Sequence, residues 1–381
     1  MKSIALIIAV ITLCACSPFE HGGFDLSAYG GRSASSALAS DAAPCCGQVC
    51  MTEAGDGATD NTLSLQAAVT LAQNTTGVLL LPNGDYKISA PITFLSKSLR
   101  ITGAGATSTG ISQFPGTPIT LFNMSNIGGP SVLVENLSFN GPVTGGYGGT
   151  GIYASASNGI ILRNVWFRGL TKGVHKINTA SYVSQQHCVF EFCVVANHYE
   201  DGVQCTIADP VYYRNLTDLL LTGDGYSFIH SNSQHGETRT NCIHLSGVKG
   251  AQITGITCRQ DFDTALPDIV RFDSGCAFNT IDRITTRGFG RVVVTMVSGG
   301  GSHNNFIRNV MASNEPILPP SYPAPVRTLA AVIEIGSGND NNSLTGIHAA
   351  SCALCLVDVG YANHFRDVSA SLGSLTTWIY P

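Results

Sequence analysis

This chain has little charge of either sign. Asp, Glu, Lys and Arg together make up 12% of its 381 residues, and the formal net charge is only −5. A nucleic-acid binder needs a basic face to neutralise phosphates, and this composition does not supply one. Helices exposed on a surface carry charged residues along their polar stripe, so a fold built mainly from them is disfavoured. Long apolar runs are also missing. After the first 13 residues no stretch approaches the roughly 20 residues that a membrane-spanning helix requires. What the chain does have is Gly, 42 residues of it. Much Gly with few charges suits short strands and tight turns.

The N-terminus reads as an export signal. Lys2 is followed by an apolar run over residues 4–13, too short to span a bilayer. The sequence Leu13-Cys14-Ala15-Cys16 that follows resembles a bacterial lipobox. That resemblance implies a lipid on Cys16, and Ser17 suits sorting to an outer membrane; cleavage by an ordinary signal peptidase is the alternative. Residues 17–44 are rich in Gly, Ser and Ala without periodicity and read as a tether. The expected organisation is therefore signal peptide 1–16, tether 17–44 and folded domain 45–381. Of thirteen Cys, eleven remain after the signal. Cys45, Cys46 and Cys50 cluster where the domain begins, a place to staple it. Cys352-x-x-Cys355 lacks the two further ligands of a zinc site.

The domain opens with Gly55-Asp56-Gly57-Ala58-Thr59-Asp60-Asn61-Thr62 and an amphipathic stretch over residues 63–72. Asp60 or Thr62 can cap that helix. An apolar strand (residues 78–81), the turn Pro82-Asn83-Gly84-Asp85-Tyr86 and Leu99-Arg100-Ile101-Thr102-Gly103 come next. This ordered set resembles the N-terminal cap of the pectate-lyase-like superfamily, over about residues 55–105. The resemblance implies an all-β fold, a right-handed parallel β-helix with a short capping helix. It fixes no activity, because the same cap sits on hydrolases, lyases, epimerases and phage tailspikes.

An internal repeat points the same way. Units such as Val134-Glu135-Asn136-Leu137-Ser138-Phe139 and Ile307-Arg308-Asn309-Val310-Met311-Ala312 recur, with a bend residue at 136, 164, 187, 218, 255, 283, 309, 346 and 367. Asn, Asp and Gly favour that position because they tolerate a left-handed backbone. Stacked Asn there resembles the asparagine ladder of pectate lyases. The repeat predicts about eight to ten coils. Two longer intervals, residues 222–240 and 314–328, read as loops walling a groove and carry Tyr226 and Tyr322.

Between the bend units lies a second strand set. Turning its aliphatic residues inward leaves an outward row of Tyr153, His175, Gln204, His244, Arg271, Thr295, Glu334 and Asp358. In the superfamily this sheet commonly forms the substrate groove, so the resemblance implies a polysaccharide partner. Tyr153, His175, Gln204 and Glu334 become binding residues, with Glu237, Tyr226 and Tyr322 in flanking loops. Three residues before the row stand Asp201, Asn241 and Asp268. Asp201-Gly202 resembles part of the polygalacturonase motif, although Thr240-Asn241 stands where that family has Asp-Asp. Hydrolysis needs two carboxylates, and Asp201 with Asp268 is the expected pair. Glu200, Glu237, Asp261 and Asp263 compete for the role. A uronate lyase is the alternative, with calcium on Asp261 and Asp263 and with Arg271 or His244 as base. Without calcium chemistry no cofactor is expected. A non-catalytic surface adhesin is the third reading. Oligomeric state and the sugar itself are not legible.

Overall fold

Alternating apolar residues make strands, and left-handed bends at regular intervals make the chain wind instead of doubling back. In the computed structural model the described residues run from 42 to 370, apart from 46, 54, 117, 128–130, 143–146, 158, 178–181, 201–203, 209–211, 215–216, 225–226, 231–233, 236–240, 260–267, 288–291, 314–330, 351–353 and 359. Along the coils each strand pairs in parallel with its counterparts one coil before and one coil after, giving a right-handed parallel β-helix. One stack holds eleven of the described strands, from Ile92–Thr93 to Leu354–Asp358. A larger sheet carries the bent units. The third side is reduced to single bridges joining Lys249, Ala277, His303, Asp340 and Tyr361.

The helix Thr62–Asn74 closes the N-terminal end and buries Leu65, Ala68, Val69 and Ala72. Asp60 accepts the Thr62 amide at 3.0 Å, satisfying one donor that the helix start leaves open. Cys50 is disulfide-bonded, where the cysteine cluster predicts a staple.

Eight of the nine expected bend residues do hold positive φ: Asn136, Asn164, His187, Gly255, Arg283, Asn309, Gly346 and Asp367. Asp218 is the exception. Its strand, Thr217–Asp224, belongs to the eleven-strand stack. The bent sheet is continued there by Gln204–Ala208 with Tyr212–Arg214, then by Ser227–His230 with Gln234–His235. Three coils of ordinary length therefore separate His187 from Gly255, where the repeat predicts two. Residues 222–240 supply strands to both sheets and are not an inserted wall.

Like residues stack on like through the core. Phe94, Phe122, Phe139, Phe167 and Phe190 form a column with ring centroids 5.3, 4.9, 5.2 and 4.7 Å apart. Each buried ring contributes about 1.5–3 kcal/mol by leaving water. The bend does stack Asn164 on Asn136, at 2.9 Å. The longer ladder lies at another corner: Asn279, Asn305, Asn342 and Asn363, linked side chain to side chain at 2.9, 3.0 and 3.0 Å. Asn279 Oδ1, Asn305 Oδ1 and Asn342 Oδ1 also accept the backbone amides of Ala251, Asn279 and Asn305 one coil earlier. These bonds satisfy polar groups at a corner that water does not reach.

One part of the interior is polar. Lys176 is fully buried, and its Nζ donates to the Ser157 carbonyl at 3.0 Å and the Ser157 hydroxyl at 2.7 Å. One coil on, Gln185 donates to Asn197 at 2.7 Å and to the Tyr199 hydroxyl at 2.8 Å.

Two stability measurements test this core. Replacing Asn305→Ala strands the Asn279 backbone amide and leaves the Cys276 carbonyl with the His303 amide alone, so urea denaturation should show a loss of about 3 kcal/mol. Burial pushes the Lys176 ammonium down from 10.5 to about 8, so the penalty for charging it is present in full below pH 8 and fades as the pH rises toward 10.5. The unfolding free energy of the wild type should gain roughly 3 kcal/mol across that window relative to Lys176→Met, in which the gain disappears.

Candidate functional site: an outward row on the eleven-strand stack

Register places one residue from each coil in a single outward row. It runs Asn123, Tyr153, His175, His198, Leu220, His244, Arg271, Thr295, Glu334 and Val357. Successive rungs are about 4.8 Å apart. Tyr153, His175, His244, Arg271, Thr295 and Glu334 stand where the sequence puts them. Gln204 does not: it opens a strand of the other sheet, opposite Tyr182 and Ser227. Asp358 does not either. Val357 faces Glu334, and Asp358 is buried, accepting the Gly360 amide and the Asn363 side chain at 2.8 and 3.1 Å.

His198 and Leu220 occupy the rungs that Gln204 was expected to fill. The cause is the polar interior. The strand Val195–Glu200 turns Asn197 and Tyr199 inward, so the apolar alternation that marks other strands is absent. Gly202-Val203-Gln204 has the more regular pattern and misleads. Asp201 lies outside the described residues. Glu200 before it ends a strand of the stack, and Gln204 after it begins the bent sheet. Gln204 is therefore not a rung of the stack, and the expected pairing of Asp201 with Asp268 rests on a residue outside the described ones. Cys16, Tyr226, Glu237, Asp261, Asp263 and Tyr322 also lie outside the described residues.

Two residues before the row, the pairing passes over Gly173, Cys242 and Ile269. That irregularity brings Lys172 and Asp268 to the same side as the row. Two groups result.

In the first, the rings of His175 and His198 stack with centroids 4.5 Å apart and planes 4° from parallel, and Tyr153 meets His175 edge-on at 5.2 Å. His175 Nε2 lies 2.6 Å from Glu200 Oε1, and His198 Nε2 lies 3.4 Å from the same oxygen. Lys172 Nζ is 3.4 Å from His175 Nδ1. Burial, then the Lys172 and His175 charges, push the His198 imidazole down to about 4. Burial also lowers His175 and Lys172. Burial alone would raise Glu200, but the His175 hydrogen bond and the neighbouring cations outweigh it and hold the carboxyl below its ordinary range. Both imidazoles are thus neutral beside a carboxylate near pH 7.

In the second, Arg271 is gripped from both sides. Its Nε lies 3.1 Å from Asp273 Oδ1, and its Nη1 lies 4.0 Å from Asp268 Oδ2. His244 Nε2 lies 2.7 Å from Asp273 Oδ2. Asp268 is buried, while His244 and Asp273 are partly open. Because both carboxylates meet one guanidinium, they lie no more than roughly 9 Å apart, the upper end of the spacing that flanks a water and a glycosidic bond in inverting hydrolases. Glu200, His198 and Asp273 are the members that sequence reasoning underused. Asp273 was legible, standing two residues after Arg271 and hence on the same face of its strand.

Residues 53–234 match the family described as rhamnogalacturonase A/epimerase, pectate lyase-like. No curated protein matches the chain by sequence. Among solved structures, the fold is similar to the catalytic domain of a GH87 alpha-1,3-glucanase variant in complex with nigerose. The TM-score is 0.61 at 14% identity, over 87% of this chain and 65% of that one. It is also similar to the catalytic unit of the thermostable GH87 alpha-1,3-glucanase from Streptomyces thermodiastaticus, with a TM-score of 0.55 at 13% identity, over 88% of this chain and 69% of that one. A third likeness is to the pre-mature gene product 12 of bacteriophage phi29, at 0.52 and 15% identity over 84% and 56%. The chain thus spans just under two thirds of the glucanase domain it resembles first. The fold is a right-handed parallel β-helix, like that of these solved structures.

Replacing Glu200→Gln removes the partner that favours the charged form of His175. An NMR titration of the imidazole protons should then show His175 titrating at lower pH than in the wild type.

Proposed function

We propose that this chain is a polysaccharide-active enzyme, a glycoside hydrolase acting on an acidic or complex glycan along the outward row. The observation that carries the reading is the Arg271 group. Asp268 and Asp273 hold one guanidinium between them, with His244 on the adjacent rung. Glycosidic cleavage needs one carboxyl to protonate the leaving oxygen and another to activate water on the opposite face of the ring, and this pair supplies both. Arg271 keeps the two apart and offers its remaining N–H groups to hydroxyl or carboxylate oxygens of the sugar. Tyr153, His175 and Glu334 on the same row serve as further contacts for a chain that runs along the stack. The likeness to alpha-1,3-glucanase domains and to the rhamnogalacturonase A/epimerase family supports a glycan substrate. Arg271 in the row and Lys172 beside it favour an acidic one. The signal sequence and Cys16 support action outside the cytoplasm, from a lipid anchor in the cell envelope.

Reducing ends released from a panel of acidic and neutral glycans test the proposal. Wild type should cleave at least one. Asp268→Asn and Asp273→Asn should each lower kcat by on the order of a hundredfold or more, with the fold retained. An ultraviolet-absorbing, unsaturated product that disappears with chelator would mean a calcium-dependent lyase instead. Binding without cleavage, unchanged in both variants, would mean an adhesin.

A further inference from the structure

His198 and Glu200 have no role in the cleavage just described, and His175 only that of a contact along the row. Their ligand atoms all lie within 4.8 Å of one another. The arrangement is built by the register. His175 and His198 face each other across adjacent coils, and Glu200 follows His198 by two residues on the same side of the strand. The buried His198 ring is the informative member. It is 9% exposed, and neither nitrogen has a hydrogen-bond partner among the described residues. A buried polar group without a partner carries a desolvation cost, and such a group invites an explanation. Its Nε2 approaches Glu200 to 3.4 Å without forming a hydrogen bond, so the ring is aimed at the carboxylate but not satisfied by it.

We propose that His175, His198 and Glu200 bind a divalent transition-metal ion of the zinc class. Two imidazole nitrogens and one carboxylate oxygen form a donor set suited to zinc and its neighbours, and ill-suited to calcium or magnesium, which prefer all-oxygen shells. Zinc bonds of about 2.0–2.1 Å place tetrahedral ligands roughly 3.3 Å apart. The Glu200 contacts of 2.6 and 3.4 Å bracket that spacing. A small rotation of one ring closes the remaining gap. The metal takes the place of the proton between His175 Nε2 and Glu200, and that proton shifts to Nδ1, so the imidazole stays neutral. Lys172 sits at the far nitrogen, Nδ1, so its ammonium opposes the incoming cation. Three protein ligands leave at least one position open. Glu200 is the most exposed of the three, which turns that position outward, where it would hold a carboxylate or vicinal hydroxyls of a glycan.

The site stands apart from the hydrolase reading, and calorimetric titration of the metal-stripped full chain with Zn²⁺ tests it directly. The expected result is one saturable equivalent, with a visible absorption band when Co²⁺ replaces Zn²⁺. His198→Gln and Glu200→Gln should each weaken binding at least tenfold, Lys172→Met should tighten it severalfold, and Asp268→Asn should leave it unchanged. Absence of saturable binding in the wild type would overturn the proposal. So would equal affinity in the wild type and in a folded His198→Gln variant, because the ion would then sit elsewhere, for example on cysteine sulfur.

Discussion

No coil of this protein can bury its own apolar residues. Each depends on the coil before and the coil after, and the parallel hydrogen-bond ladder enforces that dependence rung by rung. Everything else inherits from it. The Phe column exists because register sets like over like, and the Asn ladder exists because one corner repeats the same need for backbone partners. The outward row exists because the same register that hides one set of side chains must display the alternate set.

The interior is not uniform along the axis. Where Lys176, Gln185, Asn197 and Tyr199 replace aliphatic residues, the core is held by hydrogen bonds whose geometry is demanding. Those same strands present His175, His198 and Glu200 on the outside. A polar interior backs a polar cluster, and the two share a backbone. The cost of burying an amine there is offset only partly by the two Ser157 bonds, which makes this coil a place where stability has yielded to something else.

Most of the architecture was legible. The ordered cap and the recurrence of bend residues pointed to a β-helix, because left-handed positions and two-residue alternation are local properties. Six of the row's members, from Tyr153 to Glu334, followed from alternation alone. The failure has a single origin. In the strand Val195–Glu200 the inward residues Asn197 and Tyr199 are polar, so hydrophobic alternation carries no signal there. One coil was lost there, and Gln204 was set on the wrong sheet as a result. Asp358 failed for a smaller reason, a register offset of one residue that exchanges faces. The Asn279–Asn305–Asn342–Asn363 ladder was visible in principle, since each of these residues immediately precedes a strand of the bent sheet.

The bounded guanidinium between Asp268 and Asp273 has a further consequence. All three residues come from one strand of a single coil, and only His244 is borrowed from the neighbour. Under the proposed function the reactive chemistry is assigned to one coil, while grip on the rest of the polymer is spread over the others. Lineages could then lengthen or shorten the molecule by whole coils and alter how many sugar units are held, without disturbing the bond that is cut.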